Sequence, residues 1–476
     1  MLDFPLAFLY TYGMEYSGRK IDRQLLDWKN EKERKPLLLR GARQVGKTSA
    51  VRELSRQFDY YIEIDFLNSE NADIAELFSQ KTSIQDLCQK ISIIKNIPVQ
   101  AGKTLLFLDE VQACPAAIEK LRYFYEQEPD LHVIAAGSLL EFALEELPSF
   151  GVGRIRSVFM YPLSFEEFLG FQKMDALCHE MNEARPRKPL PEAFHKKLLE
   201  QLRIFLLTGG MPEVVSSWCR DHDFLRCRQI QNDLLISYQD DFAKYRKRIP
   251  ASRIQEVFRS VAEQGQGKFV YKKAGPDIRS SQIKSALETL ILAGLVYPVT
   301  HTAANGIPLG AEIREDYRRM ICFDTGLLQR QLNLRAEDIL VSDDLDVINK
   351  GAVAESFIGT ELMKAAPVYE KSELYCWHRE EAGSNAEVDY VIQKGNEIIP
   401  VEVKASKKGS MQSLRQFLAL KKRPYGIRTS LENFCEYADI QVYPLYAIKN
   451  ALAPDAQVGI PAGPGFTALD FTHARC

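Results

Sequence analysis

An α/β fold built on a parallel sheet is predicted by three features of the 476-residue sequence. Short apolar runs alternate with helical patterns from Ile21 onward. A glycine-bearing loop, Gly41 to Ser49, follows the first apolar run, and a later run ends in Asp109-Glu110. Such runs read as strands buried on both faces, and strands alternating with helices give a parallel sheet whose ligand sits at the carboxyl ends of the strands.

Ile21 to Lys35 places Ile21, Leu25, Leu26 and Trp28 at helical spacing and leads into the strand Leu37-Leu38-Leu39. Lys47 to Phe58 reads as a helix, Tyr60 to Asp65 as a strand and Ile74 to Lys95 as one helical stretch. Thr104 to Leu108 and His132 to Ala136 are buried strands separated by a helix from about Ala116 to Glu126, and Ser157 to Met160 follows as another strand. From Ser164 the pattern turns helical, broken at Arg185 to Pro191 and at Gly209-Gly210-Met211-Pro212, which suggests a helical lid. Ser252 to Gln264 and Ser280 to Ala293 are helices with an extended piece, Lys268 to Tyr271, between them and the strand Leu295 to Val299 after them, the outline of a winged helix. From Gly351 the order is helix, three strands (Glu373 to His378, Glu387 to Gln393, Glu397 to Lys404) and helix (Ser410 to Leu420). The expected domains are an N-terminal arm and helix (1–35), a parallel-sheet core carrying the glycine-bearing loop (36–163), a helical lid (164–250), a winged-helix-like domain (251–335), a C-terminal α/β domain (336–450) and a tail (451–476).

Composition excludes some functions. A net charge of -3 makes the whole molecule no electrostatic magnet for nucleic acid or an anionic membrane, so any such contact is local. Basic clusters occur at Lys244 to Arg248, Arg314 to Arg319, Lys404 to Lys408 and Lys421 to Arg423, and short runs of this kind are usually solvated faces. The nine cysteines contain no Cys-x-x-Cys pair, and Cys219, His222 and Cys227 lack a fourth metal ligand. Reduced thiols, the absence of an apolar run of about 20 residues and an N-terminus without a basic n-region point to a cytoplasmic protein with no membrane contact.

The loop fits G-x-x-x-x-G-K-[ST] with Gly41, Gly46, Lys47 and Thr48. Glycine lets the backbone approach phosphates, so the amides of Arg43, Gln44, Val45, Gly46, Lys47, Thr48 and Ser49 and the following helix N-terminus can surround them. Lys47 would neutralise the β- and γ-phosphates of ATP, and Thr48 with Asp109 would hold Mg²⁺. Glu110 would orient or deprotonate the attacking water. Ser138, after the strand His132 to Ala136, could sense the γ-phosphate or simply end a turn. Arg154 and Arg156 are arginine-finger candidates, with surface ion pairs as the alternative.

Near the C-terminus, Asp389 on one strand and Glu402-x-Lys404 on the next make a second constellation. Residues two apart on a strand share a face, so Glu402 and Lys404 emerge together, and an adjacent strand could bring Asp389 beside them. Two carboxylates of this kind bind a second divalent metal through oxygen, and Lys404 would help activate water against a phosphodiester. Glu355 is the third acid, and Lys407 and Lys408 could touch a phosphate backbone. A surface ladder with an ion pair is the alternative. Arg279, Gln282 and Lys284 begin the second middle helix, where a groove-binding helix would touch DNA.

Gly41 to Thr48, Phe107-Leu108-Asp109-Glu110-Val111-Gln112, Gly137-Ser138, Tyr161-Pro162-Leu163-Ser164-Phe165, Gly209 to Glu213 and Asp324-Thr325-Gly326-Leu327 together resemble a bacterial and archaeal family of AAA+-type P-loop ATPases. The C-terminal domain of that family, of unknown function, is similar to PD-(D/E)XK nucleases. The resemblance implies a P-loop NTPase core, a helical lid, a winged-helix-like middle and a restriction-endonuclease-like C-terminal domain, and it makes Arg154 the better finger candidate. The expected function is Mg²⁺-dependent ATP hydrolysis controlling a DNA-associated, nuclease-like module, in a chain that could be a homo-oligomer. The alternative is a nucleotide-dependent signalling or scaffold protein whose C-terminal module binds a partner without cleaving.

Overall fold

The computed structural model describes residues 18–146, 153–245, 249–265, 267–333, 350–379, 386–406 and 409–453. Lys407 and Lys408, Arg246 to Arg248 of one basic cluster, the first 17 residues of the arm and most of the tail lie outside the described residues.

Five strands form the first sheet: β1 (Leu37–Arg40), β2 (Tyr60–Asp65), β3 (Thr104–Asp109), β4 (His132–Ala136) and β5 (Arg156–Phe159). All pairings are parallel, in the order β2-β3-β4-β1-β5. Period-two alternation divides the apolar residues between two cores. Leu38, Leu106, Leu108, Val133 and Ala135 face one, while Leu37, Leu39, Leu105, Phe107, Ile134 and Ala136 face the other. Both faces are therefore covered, which is why the strands read as unbroken apolar runs. Because β1 lies beside β4 and β4 beside β3, the segments leaving these three strands emerge together at one edge.

The single helix expected over Ile74 to Lys95 is two helices, Ala72–Ser79 and Ile84–Lys95. Gln80 turns to an extended conformation, and the Ser83 hydroxyl accepts from the Asp86 amide to cap the second helix. The helical region begins at Phe165–Phe171, where Ser164 and Glu167 form a reciprocal capping box. It continues through Asp175–Glu183, Glu192–Thr208, Pro212–Asp221 and Phe224–Tyr245.

Two helices, Ala251–Gln264 and Ser280–Leu292, precede an antiparallel hairpin of β6 (Val296–Thr302) and β7 (Ile313–Cys322). In the expected extended piece Lys268 to Tyr271 the Phe269 amide donates to Arg318 O and the Val270 amide to Gln264 Oε1 before Tyr271 starts a helical turn. The hairpin is not a free wing. Its β6 pairs in parallel with β8 (Leu374–His378). It is thereby continuous with β9 (Glu387–Lys394), β10 (Glu397–Val403), β11 (Gly426–Ser430), β12 (Cys435–Tyr437) and β13 (Ile440–Pro444) in one eight-stranded sheet of order β12-β13-β11-β10-β9-β8-β6-β7. The expected boundary between residues 251–335 and 336–450 thus runs through a sheet. The helix Lys350–Ala365 packs against β7, β8 and β10. Among the described residues no helix is long and apolar enough to cross a membrane.

Candidate functional site

The loop after β1 has the backbone its glycines permit. Gly41 has φ 145°, and a Cβ there would lie 2.1 Å from the Met160 carbonyl oxygen, so no larger residue fits between the loop and the end of β5. Gly46 (φ 98°) caps the helix Lys47–Ser55, and Gln44 is also left-handed at φ 63°. Val45 is buried, whereas Gln44 and Ser49 are exposed, so Val45 contributes to the loop through its backbone. The Lys47 amine donates to the Gly41 and Ala42 carbonyls, both at 2.8 Å. Burial lowers its pKa to about 8 against the attraction of Glu110 and Asp109. The loop's own carbonyls hold a cation ready for phosphate oxygens.

Thr48 donates its hydroxyl to Asp109 Oδ2 at 2.8 Å, and the Glu110 amide donates to Asp109 Oδ1 at 2.9 Å. Burial pushes the Asp109 carboxyl up to about 6, against both hydrogen bonds. A buried carboxylate resisting its own charge beside a hydroxyl fits a hard divalent cation, which prefers oxygen ligands. Glu110 is left-handed (φ 49°), and its Oε2 accepts from Gln112 Nε2 (2.6 Å), Ser138 Oγ (2.9 Å) and the Ser138 amide (3.3 Å). The carboxylate at the end of β3 is therefore held by the segment leaving β4. Gln112 is a supporting residue to which the motif alone assigned no task; its Oε1 would lie 2.1 Å from a Cβ on Gly137, so that glycine lets it in.

Arg19 also reaches the loop. It donates from Nη1 to Val45 O (3.1 Å), from Nη2 to Tyr161 O (3.0 Å) and from Nε to Glu167 (2.8 Å). A Cβ on Gly46 would meet Arg19 Nη1 at 3.5 Å and Pro212 Cγ at 3.6 Å, so the Gly209-Gly210-Met211-Pro212 segment also stands over the loop. Arg43 pairs with Asp241, and Tyr238 donates to Arg43 O at 3.0 Å, tying the loop to the helix Phe224–Tyr245. No motif marks Arg19, which sits in the arm two residues before Ile21.

Arg154 is not brought to this site within its own chain. β5 runs parallel to β1 with Arg156 beside Leu37, so Arg154 lies at the end of the sheet opposite the loop, in an exposed ion pair with Glu126. Arg156 pairs with Glu31 at 2.6 Å.

The C-terminal residues converge. β9 and β10 are antiparallel with Val401 opposite Tyr390, and the Val403 amide donates to Asp389 Oδ2 at 2.7 Å. Lys404 donates to Glu402 Oε1 at 2.7 Å, whereas Glu402 Oε2 is buried with no hydrogen-bond partner. Burial, then the neighbouring Asp389, raises Glu402 to about 7. The sequence did not single out the residue among these acids. Arg319 of β7, 3% exposed, places Nη1 3.2 Å from Glu355 Oε2, 3.2 Å from Asp389 Oδ1 and 3.9 Å from Glu387 Oε1. Its Nη2 donates to the Asp389 carbonyl. Burial opposes the Arg319 charge, but Glu355 and Asp389 outweigh it and hold the guanidinium well above its ordinary value. A divalent cation between Glu355 and Asp389 does not fit while the guanidinium is there, because Arg319 already takes Glu355 Oε2 and Asp389 Oδ1, although it leaves Glu402 Oε2 without a partner.

Residues 33–169 match the family model described as AAA domain. Residues 199–338 match Domain of unknown function (DUF8612), and residues 350–448 match Domain of unknown function (DUF4143). No curated protein matches the chain. Among solved structures the chain is similar to a Walker-type ATPase of Pyrococcus abyssi, at 18% identity over 67% of this chain and 96% of that one, with a TM-score of 0.43. It is also similar to the ORC1 protein of Aeropyrum pernix, solved in complex with DNA, at 13% identity over 69% of this chain and 94% of that one, with a TM-score of 0.28. The loop, the acidic pair and the parallel sheet around them lie within the segment that matches the AAA domain model, and five parallel strands fit a P-loop nucleotide-binding core.

Proposed function

We propose that the chain binds and hydrolyses ATP at the Gly41 to Ser49 loop, and that the bound nucleotide controls a DNA-associated C-terminal module. The observation that carries the ATPase reading is the pair of carboxylates beside the phosphate loop, Asp109 held by Thr48 and Glu110 held by Ser138. Lys47 exchanges the Gly41 and Ala42 carbonyls for β- and γ-phosphate oxygens. Thr48 and Asp109 would hold Mg²⁺, which would supply neutralisation of the phosphate charge. Glu110 aligns water and takes its proton, with Ser138 and Gln112 fixing the carboxylate's direction. A finger role for Arg154 requires a second copy of the chain. ATP turnover by wild type and Glu110→Gln tests the assignment.

Two non-covalent contacts offer routes of control over the C-terminal module. Lys20, next to Arg19, donates to the Lys364, Ala365 and Ala366 carbonyls at the end of the helix that carries Glu355. Gly294, at the base of the hairpin that carries Arg319, packs on Ala42 of the loop, where an added Cβ would lie 3.4 Å from the Ala42 amide nitrogen. Both partners of the Arg319–Glu355 ion pair therefore stand on elements anchored near the nucleotide.

The placement of Arg319 favours the second reading of that module, binding without cleavage. Plasmid incubated with Mg²⁺ or Mn²⁺, with and without ATP, distinguishes the two. Intact plasmid retarded on a gel supports binding alone, and nicking that Asp389→Ala abolishes supports a nuclease.

A further inference from the structure

Arg319 occupies the centre of the C-terminal acids and arrives from outside the segment that carries them. Glu355 comes from the helix Lys350–Ala365, Asp389 from β9 and Glu402 from β10, whereas Arg319 is on β7, the edge strand contributed by the preceding hairpin. It is opposite Val299 in the β6–β7 ladder, and β6 is fixed to β8, so the guanidinium is delivered by a hydrogen-bonded sheet rather than a loop. Tyr390 lies under it, with the guanidinium 5.5 Å from the ring centre, and donates to the Glu355 carbonyl at 2.6 Å. One carboxylate oxygen in the cluster has no partner: Glu402 Oε2, on a residue 6% exposed.

We infer that Arg319 is a built-in cation that closes the Glu355, Asp389 and Glu402 cluster to divalent metal, and that removing its charge opens a latent divalent-cation site there. Two features support this. Arg319 shares one nitrogen between Glu355 and Asp389 at equal distances, the position from which a metal would bridge them. A divalent ion beside an unmoved guanidinium would be repelled in a poorly solvated site. Glu402 adds an unpartnered oxygen beside the neighbouring Asp389, and with Arg319 in place no three acids among the described residues are arranged to hold a metal. The inference rests on the arrangement of the C-terminal module and not on ATP turnover or on DNA binding.

The test is Mn²⁺ binding by the full chain without nucleotide, followed by the electron paramagnetic resonance of free Mn²⁺. Wild type and Glu402→Gln should give the same isotherm. Arg319→Met should gain one Mn²⁺ per chain, at least about tenfold tighter than any binding of wild type, since a full opposing charge has been removed from buried carboxylates. Arg319→Met with Glu402→Gln should lose that gain. Loss of Mn²⁺ binding in Glu402→Gln relative to wild type overturns the inference, because the cluster then takes metal with Arg319 in place. A folded Arg319→Met, judged by circular dichroism, that binds no more Mn²⁺ than wild type also overturns it. Should Arg319→Met not fold, the comparison of wild type with Glu402→Gln decides alone. A gain of Mn²⁺ with no retardation of DNA leaves the cation assignment standing and removes only the DNA reading.

Discussion

Thr48 Oγ1 lies 2.8 Å from Asp109 Oδ2, which joins the first turn of the loop helix to the end of β3 across 61 residues of chain. The contact depends on the strand order, because β3 reaches β1 only through β4. It also depends on burial. The carboxyl it holds is 8% exposed and pushed up to about 6, a cost in stability that a cation would offset.

Asp109→Asn should therefore stabilise the nucleotide-free protein while removing turnover. A carboxyl whose folded pKa is raised binds more protons folded than unfolded between its ordinary value and about 6, so stability falls as pH rises through that window. At pH 7 the whole penalty is present, and its removal should be worth about 3 kcal/mol, with the hydrogen bond from the Glu110 amide kept by the asparagine oxygen and the Thr48 hydroxyl turned to accept from the asparagine NH2. Urea unfolding at pH 7 and at pH 4 measures this. The gain should be lost at pH 4, and equal stability of the two proteins at both values removes the assignment.

Lys47→Ala should weaken ATP binding by about ten- to a hundredfold, the loss of charge-assisted hydrogen bonds to phosphate. In wild type the amine sits at about 8, so affinity should fall as pH rises through that value, since the free protein gives up the proton that the phosphates need. Calorimetric titration between pH 7 and 9 checks both. Binding to Lys47→Ala should be flat over the same range.

Arg19→Met should leave ATP binding within about threefold of wild type, because its bonds go to the outside of the loop. It should uncouple the loop from the helix Lys350–Ala365. Hydrogen exchange reads the difference: ATP should change protection in 313–322 and 350–365 of wild type and much less in Arg19→Met. An identical ATP response in the variant contradicts the route through Arg19 and Lys20.

The nucleotide site was legible because its parts are local. A buried strand, a loop with glycine at two forced positions and a strand ending in two acids each announce themselves within a few residues, and packing of parallel strands then leaves little choice about their meeting. Gln112 escaped because its part in holding Glu110 requires the open face of Gly137, which is known only once β4 is beside β3. Arg319 escaped for a different reason. The stretch Ile313 to Cys322 reads as a charged surface run, but the strand passes from exposed at Asp316 through half-buried Arg318 to four consecutive buried residues, Arg319 to Cys322, a gradient that no alternation in the sequence announces. Which acids an inward arginine meets depends on the parallel pairing of β6 with β8, more than 70 residues later in the chain, for which no local signal exists. Arg19 belongs to no periodic pattern, since its partners Val45, Tyr161 and Glu167 are all distant.

The most direct test of hydrolysis is phosphate release and ATP binding measured together in Glu110→Gln. The glutamine keeps the bonds from Ser138 but cannot accept a proton from water, so binding should stay within about threefold of wild type while turnover falls by at least about a hundredfold. Phosphate release at the wild-type rate would contradict the account.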